Sequence, residues 1–340
     1  MTVGFFGGKF LPLHLGHVFA IIQASTIVEE LYLVLSHSEK RDKELCENTK
    51  MKYVESRVRL RWLHQLVKDM DHVKVIQVED RYSNEDYNWE EGAVEIKKKI
   101  GKPIDYVFSS EHEYEAIFAK LYPEATHFLI DEERNTVPIS ATQIREEGVF
   151  KHWNFLPDEV KPHFVKKVVI VGTESCGKST LTHNLAKIYN TSFVEEYGRT
   201  HCERIGGCDG IMFEEDYPLI AYTQKVNEFE AMKKANKVVF IDTEATVTQF
   251  YSELYNHHHQ PVLDEVANLQ DYDLCLYLEP DVRWVDDGLR FHGEQNVRLT
   301  NNRRLKQLLS KNNIDFIPLT GDYNEKLKQS IKYVQALLTE

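Results

Sequence analysis

Twice in this chain a glycine-rich turn follows a short apolar run directly, and each time a series of apolar runs and amphipathic stretches continues from it. The first turn, Gly7-Gly8-Lys9-Phe10-Leu11-Pro12-Leu13-His14-Leu15-Gly16-His17, follows residues 3–6. The second, Gly172-Thr173-Glu174-Ser175-Cys176-Gly177-Lys178-Ser179-Thr180, follows residues 168–171. In the first series, 3–6, 31–35, 73–78, 106–109 and 127–130 read as strands. Stretches 16–29, 52–70, 89–100 and 114–122 read as helices, and 140–147 adds one more. In the second, 167–171, 191–195, 238–242, 274–278 and 315–319 read as strands with helices after each. Strands that take turns with helices are joined by crossovers, and crossovers make parallel sheets. The expected fold is therefore α/β, with two doubly wound parallel-sheet domains. Their expected limits are 1–150 and 167–340. Between them 151–166, with Pro157, Pro162 and several aromatic residues, is too aromatic for a free linker and reads as a packed junction.

A length of 340 residues suffices for two cores, and 42% hydrophobic residues is a globular content. The net charge of −13 argues against a general nucleic-acid binder. A polyphosphate would have to be met locally, by Lys, Arg, backbone N–H groups and Mg²⁺. Five cysteines (Cys46, Cys176, Cys202, Cys208, Cys275) in no CxxC spacing point to free thiols in a reducing compartment. There is no charged leader and no apolar run of 18 residues, so a cytoplasmic protein without membrane insertion is expected.

The second turn fits GxxxxGK[ST], the P-loop pattern. Gly172 and Gly177 let the backbone wrap an anion while N–H groups and a helix start point at it. Lys178 reaches β/γ oxygens, and the Ser179 hydroxyl suits Mg²⁺. Asp242, ending the apolar run 238–242, is the matching carboxylate for Mg²⁺. Glu195-Glu196-Tyr197-Gly198-Arg199 ends the next strand at the sheet edge where ligands bind, so Glu196 is a candidate acceptor for a hydroxyl proton, with Asp242 its rival. Trp284-Val285-Asp286-Asp287-Gly288-Leu289-Arg290, with Arg298, Arg303 and Arg304 soon after, reads as a lid that brings guanidinium groups to transferring phosphate. His257-His258-His259 reads as a solvated loop.

In the first turn, His14 and His17 stand at a helix mouth beside Gly8, Lys9, Phe10 and Gly16. A distal element, Ser140-Ala141-Thr142-Gln143-Ile144-Arg145, has Ser140 as helix cap and offers two hydroxyls and a guanidinium to a triphosphate.

The first turn and ISATQIR resemble the nucleotidyltransferases with HxGH and (S/T)xTxIR motifs. Joined in this order to GTESCGKST, EYGR, WVDDGLR and the WNFLP junction, they resemble, over the whole chain, the NadR-type family: a nicotinamide-mononucleotide adenylyltransferase fused to a ribosylnicotinamide kinase. The resemblance implies roles. Lys9, His14, His17 and Arg145 would hold ATP phosphates, Trp89 would stack on nicotinamide, and Arg134 would be the basic residue ahead of the Ser-x-Thr element. In the second domain Glu174, Ser175, Cys176, Thr180, Tyr197, Arg199, Asp287 and Arg290 would complete the ATP and riboside site. Trp284 would stack on the pyridinium and Tyr323 would lie near adenine. The implied ligands are ATP, nicotinamide riboside, nicotinamide mononucleotide and NAD, with Mg²⁺. A riboside transporter and self-association are the partners it leaves to consider. Family members with an N-terminal helix-turn-helix repressor domain differ from this chain, which starts in a strand, so operator binding is not expected. The alternative is an active riboside kinase whose first domain senses NAD and regulates the kinase or a transporter.

Overall fold

The computed structural model describes residues 1–80, 82–83, 86–208, 210–282 and 295–339. The chain forms two compact units, Met1–His163 and Phe164–Glu340. In the first, β1 (Val3–Gly8), β2 (Glu30–His37), β3 (Val73–Glu79), β6 (Tyr106–Ser109) and β7 (Thr126–Leu129) form one sheet. Two dipeptide strands, β4 (Tyr82–Ser83) and β5 (Asp86–Tyr87), pair antiparallel beside it in sequence. The main sheet runs β3-β2-β1-β6-β7 and is parallel throughout. Alternate strand residues Val3, Phe5, Tyr32, Val34 and Val107 pack with Ala93 and Ile100 of the helix Trp89–Ile100. The chain leaves β1 toward β3 and then returns past β1 to β6. The reversal leaves a crevice at the carboxyl ends of β1 and β6, where such sheets bind ligands.

In the second unit β8 (Lys166–Val171), β9 (Phe193–Val194), β10 (Val238–Asp242), β11 (Leu274–Leu278) and β12 (Ile317–Leu319) form a parallel sheet in the order β12-β11-β8-β10-β9. Val168 to Val171 of the central β8 are fully buried, as expected when helices cover both sheet faces. Val168, Ile170, Phe240 and Leu276 pack with Leu181 and Leu185 of the helix Lys178–Tyr189 and Val334 of the helix Tyr323–Thr339. Both edge strands are shorter than the apolar runs suggest. Short edges limit pairing with other chains.

Two local expectations change. The helix Glu39–Glu44 has no apolar face to betray it; Ser38 caps it and Lys43 pairs with Glu39 at 2.7 Å. Nor are all five thiols free, because Cys202 and Cys208 form a disulfide with Cα atoms 5.1 Å apart. The helix Tyr197–Ile205 stops at Gly206 (φ 92°), and the chain folds back there to bring the pair together. Cys46, Cys176 and Cys275 are free and buried. Among the described residues no helix is long and apolar enough to cross a membrane.

Candidate active sites

The crevice of the first unit opens into a cleft of about 1620 Å³, mouth included, lined among others by Gly8, Lys9, His14, His17, Trp89 and Arg134. His14 caps the helix Leu15–Ile27: its Nδ1 accepts from the Gly16 and His17 amides at 3.1 and 3.4 Å. The proton of the neutral ring therefore sits on Nε2, as a donor. A β-carbon on Gly16 would stand 2.9 Å from the His14 ring, so the stacked arrangement requires glycine there. The His14 and His17 rings stack at 3.8 Å. Burial, and then the nearby Arg134 charge, push His17 down to about 3; burial, His17 and Arg134 push His14 lower still. Both rings are neutral at ordinary pH, and the Nδ1 of His17 is buried with no hydrogen-bond partner among the described residues.

Lys9 does not stand alone. Its Nζ lies 2.8 Å from Asp42 and 2.6 Å from Asp80, and Asp42 also binds the fully buried Arg59 at 2.5 Å. Burial works against the lysine charge, and the Asp80 and Asp42 carboxylates outweigh it, holding the pKa above the ordinary value. Arg59 also donates to the Lys9 carbonyl at 2.7 Å, so the network fixes the turn as well as the ammonium. Arg145 donates to the Leu11 carbonyl at 2.7 Å and to Thr142 at 2.9 Å, which ties the distal element to the first turn. Ser140 caps its helix as the sequence suggests, and Ser140 and Thr142 line the cleft. Arg134 pairs with Glu111 at 2.7 Å. Trp89 packs with Tyr114 and Phe118 at 5.2 and 6.1 Å. Phe10 departs from its expected role: only 1% exposed, it lies edge-on to His17 at 5.1 Å and props the imidazole from behind.

In the second unit Gly177 (φ 94°) leads into the helix Lys178–Tyr189 without a side-chain cap, leaving first-turn N–H groups for an anion. Ser179 donates to Asp242 at 2.5 Å, pairing the hydroxyl and carboxylate expected to serve Mg²⁺. Burial and the charge of Glu196 raise the pKa of Asp242 against the pull of Lys178. The ring of Tyr323 lies 2.6 Å from where a β-carbon on Gly177 would stand. A pocket of about 850 Å³, mouth included, is lined among others by Glu174, Lys178, Glu196, Tyr197, Arg199, Tyr251 and Tyr255. Of the paired glutamates, Glu195 is exposed beside His183, whereas Glu196 lines the pocket. Gln224 sets that edge, accepting from the Tyr197 amide and donating to the Asp242 carbonyl, both at 2.9 Å. Gly172 and Ser175 take positive φ in the loop.

Other expected residues have different work. Cys176 is fully buried in the core, where its thiol donates to the Thr173 carbonyl at 2.9 Å and braces the loop, and Thr180 is exposed. Glu244 caps the helix Ala245–Tyr255 from a fully buried position, where burial pushes it up to about 7. Arg298 binds the Val282 carbonyl at 3.2 Å and Arg304 pairs with Glu253 at 2.8 Å. His259 bridges Glu253 and Asp264, both at 2.8 Å. Trp284, Asp287 and Arg290 lie outside the described residues. The sequence reading missed Asp42, Arg59 and Asp80 in the first site and Gln224, Tyr251 and Tyr255 in the second. Asp80 alone carried a signal, an acidic residue just past a strand end, as at Asp242.

Residues 5–147 match the cytidylyltransferase-like family model and residues 167–326 an AAA domain model. The whole chain aligns at 33% identity with the trifunctional NAD biosynthesis/regulator protein NadR of Escherichia coli strain K12, covering 84% of that protein. The chain belongs to the NadR family. The NadR protein of Salmonella typhimurium strain LT2 matches at the same identity and coverage. A crystal structure of a NadR protein in complex with NR superposes with a TM-score of 0.81 at 25% identity, over 100% of this chain and 96% of that one.

The buried Arg59–Asp42 pair yields a stability prediction. Arg59→Met leaves Asp42 buried with only Lys9 and the Ser38 amide for support and is expected to cost about 3 kcal/mol of unfolding free energy. A urea titration measures it. A loss below about 1 kcal/mol would mean that Lys9 and the Ser38 amide satisfy the carboxylate without Arg59.

Proposed function

We infer that this NadR-family chain makes NAD from nicotinamide riboside in two ATP-dependent steps, one in each unit. The observation that carries this reading is that each sheet has its own phosphate-binding turn and, at the same edge, its own cavity for a second substrate. The relative crystallised with NR supports the riboside as acceptor. We place the reactions in the cytoplasm.

In the second unit the P-loop amides and Lys178 hold the β and γ phosphates of ATP, and the riboside occupies the pocket beyond Lys178. Glu196 takes the 5′-hydroxyl proton as the oxygen–phosphorus bond forms and the bond to the ADP oxygen breaks. The hydroxyl of Ser179 and the carboxylate of Asp242 are hard oxygen donors that fit Mg²⁺. Bound there, the ion would neutralise phosphate charge.

In the first unit no protein nucleophile is needed. The 5′-phosphate of nicotinamide mononucleotide attacks the α-phosphorus of ATP, and pyrophosphate leaves. The Nε2–H of His14, His17 and the Lys9 ammonium face the triphosphate. Arg145 holds the turn that carries them, and Trp89 with its aromatic neighbours borders the nicotinamide.

Because each site lies within one unit, its activity should be separable from the other. Lys178→Ala is expected to lower riboside phosphorylation by about 10²-fold or more and to leave dinucleotide formation from the mononucleotide within about twofold. His17→Ala should do the reverse. Assays of both reactions on both variants check this, and parallel loss of both activities in either variant would contradict the two-site reading.

A second pair of variants assigns the proton acceptor. Glu196→Gln keeps size and removes charge, so kinase turnover should fall by about 10²-fold at unchanged ATP affinity. Wild-type turnover in that variant, beside an inactive Asp242→Asn enzyme, would transfer the role to Asp242.

A further inference from the structure

We propose that Glu174 selects the acceptor by charge, favouring a pyridinium riboside with a neutral carboxamide over one with a carboxylate. This rests on the kinase reading above. Glu174 is the third residue of the P-loop, yet its side chain lies along the acceptor pocket. One carboxylate oxygen accepts from the Tyr255 hydroxyl at 2.5 Å; the other is buried with no hydrogen-bond partner among the described residues. An anionic oxygen held that way is costly unless a cation or a donor comes to it.

The pocket offers the rest of a cation site. The Tyr251 and Tyr255 rings lie parallel, with centroids 5.8 Å apart and planes within 8°, and aromatic faces attract a cation. Burial and then the charge of Glu174 raise the pKa of both hydroxyls, as they would under a negative potential. Glu196, also lining the pocket, adds to that potential. Of the cations at the rim, Lys178 belongs to the phosphate bed, and Arg199 lies 3.3 Å from Glu203.

The two ribosides differ in the charge this pocket would sense. The ring nitrogen of nicotinamide riboside carries a fixed positive charge beside an uncharged carboxamide. The ring of nicotinic acid riboside carries the same charge beside a carboxylate, which Glu174 repels. Steric fit hardly separates the two, so the discrimination is electrostatic.

The test is the ratio of kcat/KM for nicotinamide riboside to that for nicotinic acid riboside, with Mg-ATP, in the full-length protein. Glu174→Gln keeps an acceptor for the Tyr255 hydroxyl and removes the charge. It is expected to narrow the ratio by about tenfold or more, mainly by lowering KM for nicotinic acid riboside relative to that for nicotinamide riboside, with the KM for ATP unchanged. Tyr255→Phe keeps the charge and should leave the ratio within about twofold. An unchanged ratio in Glu174→Gln overturns the proposal. So does an equal loss of kcat on both ribosides, which would place Glu174 in phosphoryl transfer. If the unmutated protein phosphorylates neither riboside, the kinase reading itself falls, and the proposal with it.

Discussion

A nucleoside triphosphate brings several negative charges to a chain whose own net charge is −13. Such a chain cannot collect the ligand with a broad basic face. Each unit therefore depends on one device, a turn after the first strand of a parallel sheet that delivers the start of a helix to the sheet's carboxyl edge. The two units carry it out differently. In the second, Gly177 leaves the helix start without a side-chain cap, and the backbone itself becomes the anion site. In the first, His14 caps the helix with one ring nitrogen and keeps the other as a donor.

The electrostatics differ accordingly. Burial keeps His14 and His17 uncharged, so on the proposed reading they would orient phosphate by hydrogen bonds while Lys9 would supply charge. Lys9 is held ready by two carboxylates, and its position depends on Arg59 far along the chain. In the second unit two carboxylates, Glu174 and Glu196, line the pocket, and the lysine sits in the loop.

Much of this was legible in the sequence. The order of apolar runs predicts both parallel sheets, because a buried parallel strand such as 168–171 is apolar on both faces and cannot be mistaken for a surface. The two turns, the Ser140 cap and the Ser179–Asp242 pairing were likewise readable from spacing. Contacts between distant residues were not. Nothing in a local pattern couples Arg59 to Asp42 or Lys9 to Asp80, and nothing announces that Tyr251 and Tyr255 on one helix will wall a pocket opened by the P-loop. The Cys202–Cys208 disulfide depends on how Gly206 ends a helix, a detail of conformation. Phe10 and Cys176 show the opposite limit: motif membership placed them at the ligand, but both side chains are buried, one against His17 and the other bonded to the Thr173 carbonyl.

On the proposed reading, two phosphate clamps run two consecutive reactions in one chain. The most direct measurement is a time course of products by mass spectrometry, with the unmutated protein given nicotinamide riboside and Mg-ATP. The account predicts that the mononucleotide and ADP appear first, followed by NAD with an equal amount of pyrophosphate. Phosphorylation that stops at the mononucleotide, even when the mononucleotide is supplied in excess with fresh Mg-ATP, would contradict it and leave the first unit without the reaction assigned to it.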